Sequence, residues 1–154
     1  MKDLVDEINS CQFVFLQELE DGADNRLVLT IKEAKSTPET EDIVLPGGTI
    51  RNVHPIGSDD SSRIFELIFA DYIAYSVRNE SFTEASDTEH WQGRLFRTYS
   101  VSNFLDFVRR STLPIEHDPG ALTHYGIICA DHIIDIATRN SPTVIRIHGD
   151  VGPA

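Results

Sequence analysis

Large apolar residues fall on alternate positions along much of this chain, and clusters of turn-forming residues break the alternation. Residues 26–33 are the plainest case. Leu27, Leu29 and Ile31 face one way, while Arg26, Thr30 and Lys32 face the other, the period-2 signature of a half-buried strand. The run at 12–19 precedes it, with Phe13, Phe15 and Leu19 on one parity. Asp21-Gly-Ala-Asp-Asn25 lies between them and supplies turn chemistry. These two runs predict a β-hairpin with one wet face. The stretch 65–77 carries Phe65, Leu67, Phe69, Ile73, Tyr75 and Val77 on odd positions, interrupted only by Asp71. A single strand through 77 would keep that parity but exceeds the usual strand length. A hairpin with the loop Ala70-Asp71-Tyr72, pairing 69 with 73, keeps it too and is preferred, since Asp tolerates the left-handed backbone of such loops. Glu66 falls on the even, solvent side. Residues 94–99 give a further strand, and 124–140 with 143–148 give two or three more. Pro142 is confined there to an edge or a strand start.

The period changes to helical at 101–110. Val101, Phe104, Leu105 and Val108 share one face, and Ser100 or Ser102 can cap the free amides. Arg109 and Arg110 close the last turn, favourably for the dipole, and Pro114 follows. Residues 2–9 suggest a short helix that needs tertiary support. Residues 35–62 contain Pro46-Gly-Gly48 and Pro55-Ile-Gly57 and read as largely irregular, with a short strand at 50–54. Residues 81–93 read as an acidic loop holding the only tryptophan, 111–123 as a Pro- and Gly-punctuated loop, and 148–154 as a frayed tail. The fold expected is mainly β and borders on α+β. It is a single domain over 1–154, with six to eight antiparallel strands in a β-sandwich or curved sheet and one helix packed near 101–110. Ile68-Phe-Ala-Asp-Tyr-Ile73 and Ile128-Cys-Ala-Asp-His-Ile133 share four of six residues. Shared hairpin-turn chemistry around Ala-Asp explains this echo, with a duplicated half as the alternative.

Charge narrows the partners. The chain of 154 residues has 25 acidic and 13 basic residues, a formal net charge of −12. Such a surface repels nucleic acid and anionic membrane and attracts basic proteins; acidity also confers solubility by itself. No run approaches the length of a membrane span, and the charged stretch MKDLVDEINS lacks the apolar centre of a signal peptide. Cys11 and Cys129 lie in apolar strand-like runs, so buried free thiols and a cytoplasmic setting are expected.

No cofactor or nucleophile motif is present: there is no P-loop, GxGxxG or GxSxG. The six histidines form neither HExxH nor an HxH pair. His124 and His132 flank the second hairpin with Asp131 and Asp135 nearby, and a metal held there by His, His and carboxylate is the minor alternative to no metal. The plainer reading makes His124 a strand residue and His132 a turn residue. The candidate binding face is polar: Arg78, Asn79 and Glu80 at one strand exit, with Arg94, Arg97 and Tyr99 on the next strand. Arginines there either pair internally with neighbouring carboxylates or line a face for an anion or a protein. These features favour an acidic protein-interaction module, such as an immunity or inhibitor protein that binds a basic partner, and make an enzyme the less favoured case. A small-ligand binder or hydrolase, using loops 46–58 and 111–123 at a sandwich mouth, is the alternative. A homo-oligomeric structural protein is a third.

The strings YIAYSVRNES, GRLFRTYSVSNFLDFV and HYGIICADHIIDI, together with the 12–33 hairpin, resemble a family of small uncharacterised bacterial proteins. The resemblance implies a stand-alone cytoplasmic domain. It carries no catalytic residues over.

Overall fold

The computed structural model describes residues 2–84, 86–112 and 122–147. A short helix, α1 (Lys2–Ser10), leads into strands β1 (Phe13–Gly22) and β2 (Arg26–Ser36). Strands β3 (Glu41–Leu45), β4 (Gly48–Val53), β5 (Ile56–Gly57), β6 (Ile64–Phe69) and β7 (Tyr72–Asn79) follow. Then come β8 (His90–Gln92), β9 (Phe96–Val101), helix α2 (Asn103–Ser111), β10 (Thr123–Ile128), β11 (His132–Thr138) and β12 (Thr143–Ile147). Two five-stranded antiparallel sheets face each other. The first runs β1-β2-β6-β12, with β5 paired to the end of β2; the second runs β7-β11-β10-β9-β8. The fold is therefore a β-sandwich, mainly β, as the alternation predicts.

Alternation fills the space between the sheets. Leu27, Leu29 and Ile31 of β2 and Phe65, Leu67 and Phe69 of β6 are fully buried. They meet Phe96, Tyr125, Ile127, Ile134 and Ile136 of the second sheet in one core. Each such side chain removed from water contributes about 1.5–3 kcal/mol before the entropy of ordering it is charged against the total. Cys11 and Cys129 are free thiols inside this core, and burial pushes both thiol pKa values up. On the solvent side of β6, Ile64, Glu66 and Ile68 are half-exposed.

The 12–33 hairpin forms as expected, with a one-residue bulge near Gln17 and a tight turn in which Asp24 and Asn25 take positive φ. The 65–77 hairpin does not form. β6 pairs with β2 and β12, while β7 pairs with β11, so Ala70-Asp71 is a corner between the two sheets. Asp71 does adopt the left-handed conformation (φ 59°). An extra residue, Ile73, bulges β7 against β11. Tyr72 and Tyr75 thereby turn to the main core, whereas Ile73 and Ala74 turn outward to α2. Both tyrosine hydroxyls donate to Asp21, at 2.8 and 3.3 Å, and that bond pushes the Tyr72 phenol up to about 12. The Ala-Asp echo is accordingly not one turn used twice: β10 and β11 form a true hairpin through residues 129–131, and the earlier copy links two sheets.

Residues 35–62 also depart from the expectation of an irregular loop. β3 and β4 make a separate two-stranded sheet, with Ile43 opposite Ile50 and Leu45 opposite Gly48. Pro46-Gly47 is the tight connection between two strands, not the interruption of order that it suggests in sequence. The helix at the C-terminal half starts where predicted. Ser102 caps α2, its Oγ accepting from Leu105 N at 2.9 Å, and Leu105 and Val108 pack on Ala137 of β11. Pro142 stands just before β12, the permitted place. Pro114, most of the 111–123 loop and the 148–154 tail lie outside the described residues.

Candidate functional site

The outer face of the second sheet is only partly covered by α2. Strand register sets what remains open. His124 lies opposite Tyr99 and Ala137, Gly126 opposite Arg97 and Asp135, and Arg78 opposite Ile133. Gly126 leaves a gap that its neighbours use. A β-carbon there would sit 2.8 Å from the Tyr99 ring, so Tyr99 leans across the glycine and stacks on the His124 ring at 4.0 Å and 11°.

A buried polar chain runs beneath that stack. Ser102 Oγ lies 2.6 Å from His124 Nδ1, His124 Nε2 lies 2.9 Å from Asp135 Oδ1, and Arg78 Nη2 donates to Asp135 Oδ2 at 2.8 Å. The ionised Asp135 carboxylate can only accept, so Nε2 carries a hydrogen for it; with the ring neutral, Nδ1 accepts from the Ser102 hydroxyl, whose oxygen takes Leu105 N. Burial alone would raise the Asp135 pKa, but the His124 hydrogen bond and the Arg78 charge outweigh it and hold the carboxyl below its ordinary value. The order Ser–His–Asp resembles a nucleophile relay, but its serine is a helix cap. Ser102 and His124 are buried, Phe104 closes over the ring at 5.1 Å, and neither residue lines the three cavities around Arg78. The chain fixes α2 to the sheet, and only its Arg78 end reaches solvent.

Around Arg78 the face is hollowed. Three adjoining cavities of about 360, 190 and 350 Å³ form one groove. The first lies at the end of the sandwich among Phe13, Ile56, Leu95, Ile128 and Cys129. It shares Glu80, Arg97 and Ile128 with the second, which adds Tyr99, Trp91 and Ile133. The third shares Arg78, Glu84, Ser86 and Glu89 with the second and ends at Asn103 and Phe104.

The six residues of the predicted binding face divide into different roles. Arg78, Glu80, Arg97 and Tyr99 line the groove together. Arg78 is engaged with Asp135. Arg97 lies over the Trp91 ring at 4.3 Å, donates through Nε to Arg94 O, and its guanidinium also interacts with the Tyr99 hydroxyl. Asn79 is spent locally, accepting from Ser81 N. Arg94 is structural: its guanidinium donates to the carbonyls of Asn9, Cys11 and Gln12, and so fastens the end of α1 to β9. Asn9 completes that clasp, its Oδ1 accepting from the amides of residues 94, 95 and 96. Sequence reasoning missed Glu84, Glu89 and the structural part of Asn9. Trp91 was visible as the only tryptophan, but the loop assignment hid its place on β8.

The metal alternative does not assemble as one site. His124 and Asp135 bind each other on the outer face. Asp131 instead sits at the β10–β11 turn, 3.1 Å from His132 Nδ1, and also accepts from Leu16 N. Among the described residues no three His, Cys, Asp or Glu side chains gather around one point. His117 and His148 fall outside those residues. Among them, too, no helix is long and apolar enough to cross a membrane.

A second surface feature lies away from the groove. The β3–β4 hairpin pairs with neither main sheet and is exposed along both strands. Ile43, Leu45 and Ile50 are about half exposed, and Val44 is 80% exposed.

Fold and surface together define a β-sandwich with a walled groove and a projecting arm. No protein-family model, curated protein or solved structure matches the chain.

Proposed function

We propose that this protein is an acidic protein-interaction module that engages a basic partner through the β3–β4 arm. The carrying observation is the arm itself. A lone two-stranded hairpin is marginal in water, and this one keeps four large aliphatic side chains solvated. Such a patch suits contact with another macromolecule rather than chemistry. Glu41 and Asp42 open β3, against Arg51 as the one basic residue of the two strands, and the net charge of −12 adds long-range attraction for a basic surface. An immunity or inhibitor role is the form of this reading in which the basic partner is an enzyme.

The test is capture of basic proteins by the immobilised chain at low and raised salt, beside the variant Val44→Ser/Ile50→Ser. Capture is expected to fall with salt and to be lost in the variant while its melting temperature holds. Equal capture by both proteins would remove the arm from the interface, and no capture at either salt would remove the reading.

A further inference from the structure

We infer that the groove on the outer face of the second sheet receives an extended peptide segment carrying a lysine or arginine next to an apolar residue. The inference stands apart from the arm and holds whether or not the arm binds.

Shape is the first argument. A small-molecule site concentrates its volume in one largely enclosed pocket. Here three side-chain-sized hollows lie end to end, joined through shared walls. One end is floored by apolar groups, Phe13, Leu95 and Ile128, whereas the other sets Phe104 among Glu84, Glu89, Asn103 and Asp135. The middle one is walled by glutamates.

Charge is the second argument. Arg78 is neutralised by Asp135, and Arg94 spends its guanidinium on main-chain carbonyls. Glu89 Oε1 accepts from Asn103 N. Glu80 and Glu84 line the groove with no salt bridge among the described residues. The free charge of the middle compartment is therefore acidic and calls for a cation. Arg97 does not cancel this role. Held flat on Trp91 and beside the Tyr99 hydroxyl, its five-donor fork keeps further N–H groups that main-chain carbonyls of a passing peptide can accept. A cationic side chain would lie against Glu80 and Glu84, and an apolar neighbour would fill the end compartment at Phe13, Leu95 and Ile128.

Trp91, the only tryptophan, lines the middle compartment, so its emission reports occupancy. The probes are capped synthetic octapeptides with a central Lys flanked by Leu and Val, against the same peptides with Gln or Glu at the centre. The Lys peptide is expected to change Trp91 emission saturably, more weakly as salt rises, and the Glu peptide to leave it unchanged. Glu80→Gln/Glu84→Gln should weaken the Lys peptide about three- to tenfold, the range for removing solvent-screened charge pairs. The arm variant Val44→Ser/Ile50→Ser should bind the peptide as the parent does. Three results would each overturn the inference: no saturable change with any peptide, equal response to all three centres, or full response to free lysine alone. Peptide binding without partner capture would retire the arm reading and keep this one.

Discussion

Asp135 has one carboxylate oxygen on a buried imidazole and the other on a half-exposed guanidinium. It joins the inside of the molecule to its groove. Its folded pKa lies below the ordinary 3.8, and that of Glu33, hydrogen-bonded by Arg63 through two nitrogens at 2.9 and 2.8 Å, lies below 4.5. A carboxyl depressed on folding binds fewer protons in the native state. Its contribution is thus complete above the unfolded pKa and is lost as pH falls through the folded one. Stability should therefore hold down to about pH 5 and decline below about pH 4. Asp135→Asn should flatten part of that acid limb in urea titrations taken at successive pH values; an unchanged limb would mean that Asp135 does not carry it. Ser102→Ala should cost about 1 kcal/mol for the cap and about 1 more for the unpaired His124 nitrogen. The loss is read as a lowered urea midpoint. Neither partnership has a sequence signature. His124 and Asp135 are eleven residues apart and meet only because the hairpin register sets Asp135 opposite Gly126. Arg94 binds carbonyls, which every residue has.

The elements were far more legible than their arrangement. Parity located β1, β2 and β6, apolar runs bounded by turn residues located β9, β10 and β11, and capping chemistry located α2 to within its N-cap, because these signals are local. Sheet membership is not local. The odd-numbered apolar stripe of 65–77 fits a hairpin and fits a corner between sheets equally well, and only the bulge at Ile73 separates the two. Irregularity at 35–62 was inferred from Pro and Gly, yet Ile43 and Ile50 already carried a cross-strand pair. The missing cue was burial, since an arm that pairs with neither main sheet and is exposed along both strands shows no clean polar face. Gly126 shows how one position can couple two elements. Gly126→Ala would drive a methyl into the Tyr99 ring, 2.8 Å away. An overpacking cost of about 1–3 kcal/mol follows. Tyr99 would also shift off His124 and toward Trp91, 5.6 Å from it. A lowered melting temperature should accompany altered tryptophan emission. Stability loss with unchanged emission would place the strain elsewhere.

At the scale of the whole molecule, charge and the arm act against each other. Ile43, Val44, Leu45 and Ile50 make the arm adhesive toward any apolar surface, including its own copy, since each edge strand offers unpaired backbone groups. Near pH 7 every copy carries a formal net charge of −12, which opposes that contact. The calculated isoelectric point is about 4.7. That lies above the pH at which Asp135 and Glu33 are protonated in the native state, so repulsion fades while the sandwich is still folded. Self-association should consequently peak near pH 4.7 as a reaction of native protein, seen as a rise in light scattering without loss of the tertiary circular dichroism of Tyr and Trp. The variant Val44→Ser/Ile50→Ser, whose stability should match the parent within about 0.5 kcal/mol because both positions are solvated, should suppress most of the rise. Salt at pH 7 should promote association in the parent by the same route, through screening over about 8 Å at physiological ionic strength. If the variant associates as readily as the parent at pH 4.7, the adhesive surface is not the arm. The exposed Phe82 and Phe107 are then the next groups to change.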